Sequence, residues 1–269
     1  MQILSQLSHE MQIFLVTIFA LIFGSFGTLV SYRLARNEPI GFTRSKCLSC
    51  GNILRVWNLI PLLSWIFQRG KCSNCHAKIS LRYPLIELSF LLSFLLIFFA
   101  LGQNLDAKTL LHFAIAATLI VMVVVDLEEY FIPNSTQYFL TILVTILVIM
   151  QGGTGVVWAH VFSAFVFLGS GIALWIFFRY AAGVDALGID DIKFFFIAGF
   201  ALGNKNILTF MLLSGVFGLL FGGLWQKLKK DETFPFAPAI CLAFLMCLLF
   251  EKKINPVDLL GSILFFNGI

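Results

Sequence analysis

The chain has 269 residues, 59% of them hydrophobic and 12% charged, with a mean hydropathy of +0.95. A soluble domain cannot hide that much apolar surface, so the composition excludes a water-soluble globule and implies helices that face lipid. The formal net charge of +4 decides little; the position of the charges decides more.

In chain order, the first apolar run, Met11 to Tyr32, is too long for the core of a cleaved signal peptide. No basic segment precedes it and no small-residue cleavage site follows, so it is expected to remain as a transmembrane helix. Further runs at 84–101, 110–125, 137–150, 156–178, 207–225 and 234–250 span, or nearly span, a bilayer that needs roughly 20 residues per crossing. Shorter runs at 193–203 and 257–268 read as tilted, partial or interfacial. The expected architecture is an all-α polytopic membrane protein with about eight transmembrane helices. It divides into the first helix (1–32), a polar insert (33–83) and a membrane-embedded core (84–269).

Lys and Arg set the orientation. The insert carries Arg33, Arg36, Arg44, Lys46, Arg55, Arg69, Lys71, Lys78 and Arg82, and later turns add Arg179, Lys193, Lys227, Lys229 and Lys230. Alternating crossings place all of these on one face, while the other receives only Lys108, Lys205, Lys252 and Lys253. The richer face is expected to be cytosolic, with the N-terminus outside.

The insert holds two C-x-x-C pairs, Cys47/Cys50 and Cys72/Cys75, followed by Gly51 and His76. Two such knuckles supply four soft ligands to one tetrahedral Zn²⁺ and would fold a segment too short to build a core. Disulfides or unmetallated thiols are the alternatives, and a reducing cytosol disfavours the first. A closed four-thiolate site has no open position, so its expected role is structural. His76 is expected beside the ligands rather than among them, and Cys241 and Cys247, in an apolar run, read as packing residues.

Acids beside spanning segments are costly and need a reason. Asp126 ends the run LIVMVVV, and Asp190 and Asp191 open the run IKFFFIAGF; by the alternation above both places lie at the cytosolic face. Two carboxyls meeting in a partly dehydrated cleft would share one proton and work as acid and base on a bound water. The plainer reading is that they mark helix ends, which suits Asp190 and Asp191 near a positive N-terminus but not Asp126 at a C-terminal end. Glu128 and Glu129 fit a solvated turn closed by Pro133.

These blocks together resemble the bacterial prepilin peptidase (type IV leader peptidase) family, a group of GxGD-type aspartyl proteases. The likeness runs from GSFGTLVSYRL at Gly24–Leu34 through IPLLSW, RGKC and ISLRYPLIEL in and after the insert, to VDLEEYFIPN and GIDDIKF. The resemblance places the catalytic pair on Asp126 and Asp191, with Lys193 completing the D-x-K register. The second glycine of the family's G-x-G-D is Asp190 here, which leaves Asp190 as a rival. The acid of the family's P-D element is Asn134, and its aromatic–acidic–Asn triplet before I-P is Trp57, Asn58 and Leu59.

By this resemblance the protein is expected in the bacterial inner membrane, in contact with the bilayer and with prepilins and pseudopilins, and not with nucleic acid. It would remove their basic leaders at the cytosolic face, after a Gly and before a hydrophobic helix. Methylation of the new N-terminus with S-adenosylmethionine is implied by the resemblance alone, because no G-x-G-x-x-G follows a strand here. A transporter or channel with a zinc-stapled gate is the alternative from another class; it lacks inverted repeats and mid-membrane acids.

Overall fold

The computed structural model describes residues 7–39, 41, 44–181, 183, 187–229 and 234–250. The described residues are helical, with no strand longer than an isolated bridge. Among the described residues, six helices are long and apolar enough to cross a membrane. They comprise α1 (His9–Ala35), α3 (Arg82–Ala100), α4 (Ala107–Glu129), α5 (Asn134–Gly152), α6 (Val157–Ile176, extended by one π-helical turn, Phe177–Ala181) and α8 (Ile207–Lys229). A short α2 (Leu63–Phe67) lies within the insert.

The expected crossings at 193–203 and 234–250 are the fourteen-residue helices α7 (Ile189–Leu202) and α9 (Ala237–Phe250). At 1.5 Å per residue each is about 21 Å long, against a hydrocarbon core of about 30 Å. The run 257–268, with Asp185, Lys230, Lys252 and Lys253, lies outside the described residues. Outward-facing Phe14, Leu92, Phe165 and Leu219 are all more than half exposed, as lipid contact requires.

The chain forms two compact units, residues 1–124 and 125–269, with the border inside α4. In the first, α1 packs on α3 through Gly24 and Gly27. A Cβ on Gly24 would stand 3.0 Å from the Glu87 backbone, and one on Gly27 would strike the Phe90 ring. Phe90, Phe94 and Phe98 recur at helical spacing along α3 and form its buried face. Phe94 stacks on Phe113 of α4 at 4.4 Å, and His9 stacks on Phe98. The insert is tied to the helices near its middle and at its C-terminal end. Arg82 donates to the Thr28 carbonyl and the Ser31 hydroxyl, and the Leu62 N–H donates to Glu87 Oε2 at 2.7 Å.

In the second unit, α7 is the central helix and its apolar face is buried from Phe194 to Leu202. It meets α6 across Gly171 and Gly199, α8 through Phe195 against Phe210, and α9 through Phe194 against Phe244. His160 of α6 shares a 2.7 Å hydrogen bond with the Phe200 carbonyl. Small residues let membrane helices approach closely where lipid offers no hydrophobic drive for association.

Gly199 tests this packing, because an added Cβ would lie 2.6 Å from Phe167 Cβ and 2.7 Å from the Ser163 carbonyl oxygen. Gly199→Ala is expected to cost about 1–3 kcal/mol, read as a lower unfolding midpoint in detergent. Gly169→Ala, whose Cβ meets open space, leaves the midpoint unchanged. Equal midpoints for the two variants would contradict the close α6–α7 contact.

Candidate active site

Asp126 stands on α4, which continues one turn beyond it to Glu129 before Tyr130 turns into the left-handed region at φ 58°. Asp126 thus stands at the C-terminal end of its helix as expected, whereas Glu128 and Glu129, expected in a solvated turn, complete the last helical turn. Asp126 is 5% exposed, and its Oδ2 accepts a 2.8 Å hydrogen bond from the Ala237 N–H, the first residue of α9. Among the described residues its other carboxyl oxygen has no hydrogen-bond partner.

Asp190 and Asp191 occupy the first turn of α7 and separate in role. Asp191 is 9% exposed and turns back to accept the N–H of Gly188, the residue preceding the helix, at 2.9 Å. The Asp190 side chain is 32% exposed and pairs with Lys193 one turn on at 2.8 Å. Lys193 also donates to Asn134 Oδ1 at 3.0 Å, tying the first turn of α5 to the first turns of α7. Gln137 Nε2 donates to the Asp190 carbonyl, joining α5 to the start of α7.

Asp126 and Asp191 lie within electrostatic reach of each other, and both act on Cys241, one turn into α9. These residues thus form one locus, made by the last turn of α4 and the first turns of α7 and α9. Chemically it is a pair of nearly buried carboxyls, each held by a single backbone donor at a helix start. Cys241 and Cys247 are 3% and 1% exposed, in keeping with packing residues.

The four insert cysteines gather as the spacing predicts. The sulfurs of Cys47, Cys50, Cys72 and Cys75 all lie within 4.8 Å of one another, and Cys47 and Cys75 are 3.9 Å apart. Ligands at a Zn–S length of about 2.3 Å on a tetrahedron stand about 3.8 Å apart, so the cluster could hold such an ion. No imidazole belongs to the group.

The knuckles are near copies of each other. Cys47 N–H donates to Asn52 and Gly51 N–H to Cys47, just as Cys72 N–H donates to Ala77 and His76 N–H to Cys72. His76 takes φ 57° where Gly51 has φ 69°, so its place is the turn of the knuckle rather than the ligand set. Backbone amides of Cys50 and Ser49 aim at the Cys47 sulfur and lower its pKa to about 6. At Cys75 the Ala77 amide pulls the same way, but lost solvation and the other three sulfurs outweigh it and push the thiol up to about 11. Four adjacent sulfurs resist ionising together, which a dication reverses.

The residue patterns did not expose two contacts. Glu87, which anchors the insert through Leu62, is a buried carboxyl inside an apolar run, and that placement is itself a signal. The Ala237 amide has no signal, because every residue carries one.

Comparison with known proteins bears on this geometry. Residues 18–101 match the bacterial peptidase A24 N-terminal domain, and residues 113–223 match the type IV leader peptidase family. A prepilin leader peptidase/N-methyltransferase of Bacillus subtilis is 31% identical over 243 residues, covering 88% of this chain and 94% of that protein. The chain belongs to the type IV leader peptidase family. Proteins of the same description from Pseudomonas putida and Vibrio cholerae are 28% and 29% identical, covering 92% and 86% of the chain and 94% of each relative. No solved structure matches the chain. With its six apolar helices, the chain is thus a multi-pass membrane protein of a bacterial peptidase family.

Proposed function

We propose that this chain is an aspartyl endopeptidase that removes the basic leader of type IV prepilins and pseudopilins, with Asp126 and Asp191 as its catalytic pair. The observation that carries the residue assignment is the convergence of two nearly buried carboxyls from separate parts of the chain. Family membership supports the substrate: the relatives above are named for prepilin leaders. Asp191 is preferred to Asp190 because Asp190 is turned outward onto Lys193.

In this reading the two carboxyls share one proton. The ionised member takes a proton from water as the oxygen adds to the scissile carbonyl carbon, and the protonated member donates to the carbonyl oxygen. Collapse of the tetrahedral intermediate breaks the C–N bond, and the amine leaves with a proton from the pair. Low local polarity strengthens both transfers. The Gly188 and Ala237 amides each bind one carboxyl oxygen, leaving the other toward water and substrate.

The basic insert is placed at the cytosolic face of the inner membrane, where Lys and Arg are enriched and lipid is anionic. The four cysteines hold a structural Zn²⁺ that folds the insert and takes no part in hydrolysis. Methylation of the new N-terminus is the second activity, with S-adenosylmethionine as co-substrate; the relatives' double name supports it.

Asp126→Ala and Asp191→Ala are each expected to lower prepilin cleavage by about 10⁴-fold or more while membrane insertion is kept. Asp190→Asn stays within about tenfold of the parent, since it removes only an exposed ion pair. Mass spectrometry of the product checks all three, and full activity in either alanine variant removes that residue from the mechanism. Purified protein with a labelled methyl donor and cleaved pilin should transfer label; none transferred counts against the second activity. Elemental analysis should find one zinc per chain that leaves as pH falls, because the thiolates must bind protons to release it. A metal-free, folded protein at pH 8 would dismiss the zinc.

A further inference from the structure

The region matched by the type IV leader peptidase family ends at residue 223, whereas the donor to Asp126 lies beyond it, at Ala237. The start of α9 is built to present that one donor. Ala239 and Ile240 N–H groups are both directed to the Phe236 carbonyl, and Pro238 has no N–H. Of the first four residues of α9, only Ala237 therefore has an amide free to point away from the helix, and it meets Asp126 Oδ2.

The segment leading into α9 is anchored on α8. Phe236 lies over Gly218, where a Cβ would come 2.8 Å from its ring, and Phe234 lies over Gly222, where a Cβ would come 3.2 Å from its ring. Those glycines are one turn apart, so one face of α8 forms a seat for both rings. Farther along α9, Cys241 lies within electrostatic reach of both carboxyls and Phe244 packs edge-on against Phe194 of α7 at 5.6 Å. Ala237, Cys241 and Phe244 share one helical face, and that face is turned to the site.

We propose that the start of α9 is a positioning element of the active site: the Ala237 amide, fixed by the Phe234–Phe236 strap seated on Gly218 and Gly222, holds the Asp126 carboxyl in its working orientation. Ala237 is a positioning residue, acting through Asp126, and the proposal rests on Asp126 being a catalytic acid. A carboxyl with two rotatable bonds on the last turn of α4 would otherwise turn away, and a small displacement of a catalytic group is costly.

Ala237→Pro removes the donor and sets the ring Cδ against the carboxyl oxygen it held, so the Asp126 carboxyl must turn away, while proline itself suits the first turn of a helix. Gly169→Ala on α6, whose Cβ meets open space and which lies outside the strap and the site, is the control. In full-length protein in detergent, Ala237→Pro should lower kcat for prepilin about 10- to 100-fold with KM within about twofold. Gly169→Ala should stay near the parent in both. Independently of activity, dicyclohexylcarbodiimide, which reacts with carboxyls in apolar surroundings, should modify Asp126 several-fold faster in Ala237→Pro only.

An unchanged kcat in Ala237→Pro, equal losses in Ala237→Pro and Gly169→Ala, or unchanged Asp126 labelling overturns the proposal. If the parent cleaves no prepilin yet labelling responds as described, the peptidase reading fails and the Ala237–Asp126 contact stands. Should Ala237→Pro fail to insert, hydrogen exchange of the 234–240 peptide decides. One further amide should exchange rapidly in Asp126→Ala and not in Asp191→Ala, and identical exchange in both overturns the proposal.

Discussion

A carboxyl buried among apolar helices has to find a hydrogen-bond donor, and in this protein both do so at the start of a helix. The first amides of a helix lack partners within it and carry the positive end of its dipole. Gly188 offers one to Asp191 before α7, and Ala237 offers one to Asp126 at the start of α9. Both helices are short, and a short helix can begin where its first amides are needed. The locus of the two acids is thus a place where helices begin.

That constraint removes the opposition between a capping acid and a catalytic acid. Asp191 is a helix-capping residue by geometry, yet capping occupies one oxygen and leaves the second. Asp190, next to it, does neither job: Lys193 draws it outward, toward Asn134 on α5. The Asp190 carboxyl is held outward by Lys193, although its charge still reaches both Asp126 and Asp191. Asn134, which has no charge of its own, still accepts a bond from the same lysine.

The insert solves a different problem with the same economy of backbone. It has no apolar core, and its order comes from two knuckles whose amides turn toward sulfur, with Gly51 and His76 at equivalent left-handed turns. Its attachment to the helices of the first unit is polar, through Glu87 and Arg82, where flanking residues give way to membrane helix.

Much of this was legible in the chain itself. Apolar runs of about 20 residues have few folded outcomes, since backbone amides in lipid must be satisfied within the segment, so α1, α3, α4, α5, α6 and α8 could be read directly. Paired C-x-x-C spacing fixed the four-sulfur cluster, because each knuckle is a local structure. The two acids were conspicuous because charge beside apolar sequence is expensive. What the residues could not reveal was which acid of the Asp190–Asp191 pair turns inward, that 234–250 is a short helix, or that Ala237 serves Asp126. The last of these is a contact across 111 residues, made by a backbone amide that carries no sequence signal. Only the packing of α7 and α9 in the second unit decides which amide meets which carboxyl.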